Sequence, residues 1–298
     1  MKRTTQQDYH ARILRVLVHI QNSLDDALSL EELASISCFS PYHFHRVFKG
    51  MVGESVMQHV RRLRLERAAL RLVHTDQAIT HVAFDAGYEA LEAFSRAFRT
   101  AFGASPSEYR IERRQAILPL CASGIHFSPD TLIKDFKPQS KGAESMDVRI
   151  EKLPPKRVAF VRNIGPYQEA GKAWEKLMAW AGPRGLFNPN ASCLGLCHDD
   201  PDVTPADKIR YDACLAVGDD FEGEGEIGVQ EISGGNYAIA RHNGPYENLA
   251  DTYAALCGQW LPSSGHEPRD APPFEVYLNN PQDTPPADLK TDVHVAIS

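Results

Sequence analysis

Two arginines and one glutamate stand where this chain repeats itself. Arg46, in "SPYHFHRVFKGMVG" (40–53), and Arg96, in "LEAFSRAFRTAFG" (91–103), hold the same place in segments that superpose at an offset of 50. Glu275, in "FEVYLNNP", answers at an offset of 80 to Gly195 in "CLGLCHDDP". A guanidinium on an exposed helix face can read a guanine edge or anchor a phosphate. A carboxylate present in one copy of a repeat and missing from the other is the asymmetry of a binding site. Desolvated among aromatic rings, it could also serve as a general base.

The elements that must hold the arginines read as helices. Residues 9–112 space their apolar side chains by three and four, with little β-branched alternation. Ser40–Pro41 is a helix start, a hydroxyl that caps free amides before a proline tolerated at the first helical position. Gly87 suits the left-handed residue that ends a helix, and Cys38 stands where the first unit could have carried the same glycine. "LEELASIS" and "ITHVAFDAG" precede the matching segments, so each half is a pair of short helices joined by a tight turn. Phe44 with Phe48, and Phe94 with Phe98, lie one turn apart and face the core. That turns Tyr42, His45 and Arg46 outward with His43 flanking, and likewise Leu91, Glu92, Ser95 and Arg96. Two such helices reach successive major grooves, about 34 Å apart, and read an asymmetric site without a dimer.

Residues 28–112 resemble the AraC/XylS family of transcription regulators. "LEELASISCFSPYHFHRVFKGMVGESVMQHVRRLRLERA" is similar to the family's first unit with its linker helix, and "ITHVAFDAGYEALEAFSRAFRTAFGASPSEYR" to the second. The resemblance implies base-reading residues at the outward positions just named, double-stranded promoter DNA as partner, and RNA polymerase beside it.

From Met146 the pattern changes to alternating strands. "RNIGPYQEAGKAWEKL" (162–177) and "RHNGPYENLADTYAAL" (241–256) superpose at an offset of 79, and each copy runs strand, strand, Gly-Pro-Tyr, helix, strand, strand. The expected fold is therefore an all-α domain with two helix-turn-helix units (1–115), a partly packed linker (116–145) and an α+β domain (146–298). The last would hold two pseudo-symmetric βαβ-type, SHS2-like repeats. Core stripes run through Ala170, Trp174, Leu177 and Ala181, and through Leu249, Tyr253, Leu256 and Trp260. Alternation puts Phe274, Val276, Leu278, Val293, Val295 and Ile297 under the helices. The other face would then carry Glu275, Tyr277 and Asp292 among small residues, including Cys193, Gly195, Cys197, Cys214, Ala238 and Ala296. Asp292, repeated by Asp212, reads as structural.

This second domain resembles the GyrI-like effector-binding family, on Gly-Pro-Tyr twice, "FEVYLNNP" and the closing "TDVHVAI". The resemblance implies a groove between the two units in which Glu275 binds a lipophilic or cationic aromatic effector. Tyr277, Tyr167, Tyr246 and Trp174 would stand as the aromatic side chains around it. The alternative is a GyrI-like hydrolase or a ligand-sequestering protein that uses the same glutamate.

Charge divides the same way. The chain carries a formal −7 overall, but residues 1–115 hold sixteen Lys and Arg against thirteen Asp and Glu, so the acidity lies in the second part. Arg61, Arg62, Arg64, Arg67 and Arg71 fall within eleven residues, as a phosphate-facing stripe or a solvated helix face. Six cysteines without framework spacing fit reduced thiols in the cytoplasm, and Cys193, Cys197 and His198 match no zinc pattern. No signal peptide or membrane span is legible, so the expectation is a cytoplasmic, non-enzymatic regulator with no cofactor and no metal.

Overall fold

The computed structural model describes residues 4–112, 118–130, 132–139, 146–186, 192–201 and 203–298. Seven helices come first: α1 (Thr5–Asn22), α2 (Leu30–Ser37), α3 (Pro41–Val52), α4 (Val56–His74), α5 (Ile79–Asp85), α6 (Leu91–Phe102) and α7 (Pro106–Glu112). Ser55 and Gln58 form a reciprocal capping box that starts α4 sharply after Gly53 ends α3. The turn between α2 and α3 is made by Cys38 at φ 55°, while Gly87 makes the corresponding turn at φ 82°.

An antiparallel sheet follows, built from β1 (Val148–Leu153), β2 (Lys156–Ile164), β3 (Cys193–Cys197), β4 (Arg210–Ala216), β5 (Gly228–Ile232), β6 (Gly235–Asn243), β7 (Phe274–Tyr277) and β8 (Lys290–Ile297). Helix α8 (Gly171–Ala181) lies between β2 and β3. Between β6 and β7 come α9 (Leu249–Ala255), a π-helical turn (Leu256–Trp260) and α10 (Leu261–Ser264). The strand order β1-β6-β8-β7-β3-β4-β2-β5 returns itself when β1–β4 are exchanged with β5–β8. Strands β2 and β3 both pair antiparallel with β4, so each βαβ crossover is split by an inserted strand. Both Gly-Pro-Tyr corners do one job. Gly165 (φ 144°) and Gly244 (φ 124°) donate their amides to Ile209 and Leu289, and the proline then opens a short helical turn.

The core is divided differently from the sequence. The second helix-turn-helix unit has an apolar cluster of its own, around Leu65, Leu72, Val82, Phe94, Phe98 and Tyr109. The first unit does not. Ile13, Leu17, Phe44 and Phe48 belong to one continuous cluster with Tyr253, Leu256, Val293 and Val295 of the sheet domain. Each such fully buried side chain contributes on the order of 2 kcal/mol, so this shared core is a substantial tie. The linker joins it through Ile125 and Phe136.

Several expectations from alternation are corrected. Phe274 and Val276 point away from the helices, into a cluster with Tyr237 and Ile239, and Cys214 and Ala296 share that far face without Glu275. Asp292 pairs with Val276 across β7–β8, so it shares that far face and not the face of Glu275. There it takes Arg241 and Arg149, much as Asp212 takes Arg162 at 2.7 Å in the other half. Glu275 lies on the helix side instead, with Cys197 and Tyr211. Four of the five arginines of α4 are held by other groups of the protein, and Arg61 is the exposed one. Arg62 is held by Glu54 and Glu66, Arg64 by the carbonyls of Leu24 and Asp26, Arg67 by Asp25, and Arg71 by Asp85. Among the described residues no helix is long and apolar enough to cross a membrane.

Candidate functional site

Glu275 sits at the middle of the sheet, where β7 meets β3 and the two halves join. Its partner across that junction is Gly195, the residue that replaces it in the repeat. A Cβ on Gly195 would lie 2.4 Å from the Tyr277 hydroxyl and 2.6 Å from that of Tyr211. One copy therefore supplies a carboxylate, and the other a bare Cα over which two tyrosines meet.

Glu275 is 5% exposed, and both of its carboxylate oxygens accept hydrogen bonds. Tyr277 donates to Oε2 at 2.6 Å, while Tyr253 and Cys197 donate to Oε1 at 3.2 and 3.3 Å. Further aromatic groups stand around Tyr277 and its neighbour Tyr211. The Tyr211 and Tyr277 hydroxyls are 2.9 Å apart, and Trp174 Nε1 donates to Tyr211 at 3.0 Å. The rings of Tyr246 and Trp174 stand edge-on to Tyr277, and Tyr167 edge-on to Tyr211. The Tyr167 hydroxyl itself donates to the Asp199 carbonyl at 2.6 Å. Burial pushes the Glu275 carboxyl above its usual range, against the hydrogen bonds from Tyr277, Cys197 and Tyr253 and the field of Arg46. A buried acid in an aromatic cage is a sink for positive charge.

All five effector-site residues expected from sequence are brought together here: Glu275, Tyr277, Tyr167, Tyr246 and Trp174. Reasoning from sequence missed Cys197, Tyr211 and Tyr253. Tyr253 sits at a core spacing on α9, and nothing in that spacing shows where its hydroxyl goes. The parity that puts Tyr211 over Gly195 was a usable signal.

The residues expected to face DNA are placed unevenly. On α6, Glu92 and Arg96 are exposed, and Leu91 and Ser95 half-exposed. On α3 the outward face expected from the phenylalanine spacing is covered by the sheet domain. His43, His45 and Arg46 are 1%, 5% and 5% exposed, and Tyr42 is half-buried. The physical reason is a close helix crossing. A Cβ on Gly50 would lie 2.0 Å from the Ala254 carbonyl oxygen, and one on Gly258 would lie 2.4 Å from Gly50 Cα. Over that contact Arg46 stacks on the Tyr253 ring, 4.7 Å from its centroid, and donates to the Tyr42 carbonyl. His45 Nε2 lies 2.7 Å from Asp200 Oδ2, and His43 Nε2 is 2.8 Å from the Arg269 carbonyl oxygen. Burial, with Arg46 nearby, lowers the His43 pKa to about 4.

A cavity of about 290 Å³ opens on the far face of the sheet, lined by Leu194, Tyr237, Phe274, Val276 and His294. Glu275 is not part of it; beside Glu275, Arg46 of α3 lies over the Tyr253 ring.

Residues 146–298 match the GyrI-like small molecule binding domain, and residues 33–112 match a helix-turn-helix domain. The probable transcriptional regulator YgiV of Escherichia coli (strain K12) is 31% identical over 157 residues, 52% of this chain and 98% of YgiV. The HTH-type transcriptional regulator YbfP of Bacillus subtilis (strain 168) is 35% identical over 102 residues, 34% of this chain. The chain spans about a third of YbfP's length, 35%. Among solved structures, the C-terminal domain of EcmrR aligns with 52% of this chain at 23% identity and a TM-score of 0.42.

Proposed function

The chain belongs to the GyrI-like small molecule binding family, joined here to an AraC-type helix-turn-helix domain, and on that premise we propose a DNA-binding transcription regulator whose activity follows a flat, cationic effector held at Glu275. The observation that carries the effector class is the buried carboxylate with three donors inside a ring of aromatic side chains. Neutral ligands would gain from the rings alone, while a cation also compensates the carboxylate. Engagement of both oxygens by Tyr277, Tyr253 and Cys197 favours a charge sink over a general base, so the reading is sensing without turnover.

Residues 1–115 would form the DNA-binding part, 116–145 the joint and 146–298 the effector domain. The exchange symmetry of the strand order supports two pseudo-symmetric split-βαβ repeats, with Glu275 next to their axis. Tyr42, His43, His45 and Arg46 on α3, with Leu91, Glu92, Ser95 and Arg96 on α6, are the proposed DNA-reading residues. Promoter DNA and RNA polymerase are the proposed partners.

Benzamidinium and its neutral isostere benzamide test the effector site by calorimetry on the full chain. Glu275→Gln keeps the shape and removes the charge, so benzamidinium should weaken by about tenfold, near 1.4 kcal/mol, with little change for benzamide. Equal losses for both ligands, or none, would refute the site.

A further inference from the structure

Helix α3 docks against the elements that surround Glu275. Its Arg46 guanidinium lies on the Tyr253 ring, whose hydroxyl donates to Glu275, so a cation already stands one ring away from the carboxylate. The fit extends along the helix. His45 meets Asp200 of the loop after β3, His43 meets the Arg269 carbonyl, and the Gly50–Gly258 contact brings backbone onto backbone. Four separate contacts thus bind the same helix face that is proposed to read DNA.

We propose that Arg46 is a built-in ligand of the Glu275 groove, and that a flat cation entering this groove displaces α3 and frees it for the DNA major groove. The inference rests on the regulator reading above and adds its regulation. The two uses of α3 exclude each other, since Arg46 cannot face Tyr253 and a base edge together. Effector and DNA then both select the undocked form, and each must raise the other's affinity by the same factor. Helix α6 is free in either form, so the docked chain retains one reading helix and weak, less selective binding. The effector class follows from the residue displaced: a planar delocalised cation able to lie on Tyr253, such as an amidinium or guanidinium on an aromatic body.

The experiment uses the full chain and a duplex selected by it from a randomised pool, read by fluorescence anisotropy. Benzamidinium should raise DNA affinity about tenfold, benzamide should not, and saturating DNA should tighten benzamidinium by the same factor. Two variants open the cover without touching the DNA-reading residues. Gly258→Ala adds a methyl against Gly50 Cα, and Asp200→Asn removes the charge facing His45. Both should gain most of that tenfold without any cation, and respond little to it afterwards. Asp200 lies in a loop, so its variant keeps the test valid if Gly258→Ala fails to fold. DNA affinity equal in wild type and Asp200→Asn overturns the proposal. So does benzamidinium that binds through Glu275 yet leaves DNA affinity unchanged, an outcome that preserves the effector site. Loss of all DNA binding in every form, cation present or absent, would instead sink the regulator reading.

Discussion

Helices α3 and α6 come from the same repeated motif and end up in opposite circumstances. Phe44 and Phe48 pack inward as Phe94 and Phe98 do, and Arg46 corresponds to Arg96. Yet Arg96 is exposed, while Arg46 is 5% exposed beneath another domain. The difference lies in the residues around the arginine. At an offset of 50, Gly50 is answered by Thr100, His45 by Ser95 and His43 by Ala93. Glycine permits a helix crossing that threonine forbids, and two imidazoles supply the polar contacts that serine and alanine cannot. Repetition of a motif therefore fixes its inner face and leaves the outer face free to acquire a second partner.

The largest way to break this comparison is to give α3 the residue of α6. Gly50→Thr puts a branched side chain where a Cβ alone would lie 2.0 Å from the Ala254 oxygen. The docked arrangement should be lost, at a cost of about 3 kcal/mol in stability. Urea unfolding should then split into two transitions, since the first helix-turn-helix unit no longer shares its core. Thr100→Gly on α6 should produce no such split, costing only about 0.3–0.5 kcal/mol through helix propensity, since threonine is itself a poor helix former.

Acid should loosen α3 as well. The His43 imidazole is buried against the Arg269 and Ala271 carbonyls, with Arg46 and His45 beside it, and burial lowers its pKa to about 4. Released histidine titrates near 6.5, so the undocked form binds the proton more readily between those values. The stabilising contribution is complete above about pH 6.5 and is lost as pH falls toward 4, roughly 2 kcal/mol of it by pH 5. Unfolding of wild type at pH 7.5 and pH 5 should differ by that much more than unfolding of His43→Gln. An identical acid response in both would show that His43 is not the group involved. Nothing on α6 offers an equivalent.

A smaller effect separates the two arginines. Arg96→Ala should weaken specific DNA binding by about 1–3 kcal/mol, equally with and without benzamidinium. Arg46→Ala should show that full loss only when benzamidinium is present. Without the cation, the same truncation also removes the cation–π contact that holds α3 down, and the two effects oppose. Matching behaviour of both variants in both conditions would erase the distinction between the helices.

Much of this was legible from the sequence. Both helix-turn-helix units, the Gly-Pro-Tyr corners and the special place of Glu275 follow from repeats, because an offset compares like with like. Alternation failed where only one copy was read. Phe274 and Val276 look like the inward set, but the aromatic cage takes the opposite parity, through Glu275 and Tyr277. The arginines of α4 could not be assigned either, since Glu54, Asp25, Asp85 and the Ile125 carbonyl reach them from other elements. The cover over α3 depends on Gly258 and Asp200, more than two hundred and one hundred and fifty residues away from Gly50 and His45. Sequence spacing holds no information about such a contact.

The two turns give the smallest and cleanest contrast. Cys38 and Gly87 occupy matching places between α2 and α3 and between α5 and α6, and both are left-handed, at φ 55° and 82°. A side chain in that conformation costs about 1–2 kcal/mol, whereas glycine loses about 0.5–1 kcal/mol more chain entropy on folding. Cys38 is exposed, so its thiol has little packing to give up. Cys38→Gly should therefore stabilise the protein by about 0.5–1 kcal/mol in urea unfolding. Gly87→Ala should act in the opposite sense by about 1 kcal/mol or more, since the strain is new. Its Cβ would also lie 2.8 Å from Arg64 Nη1, the end of a side chain that binds the Leu24 and Asp26 carbonyls. That guanidinium can move, so the added cost stays modest. A Cys38→Gly variant no more stable than wild type would mean that the thiol makes a compensating contact, and that the two turns differ by more than a Cβ.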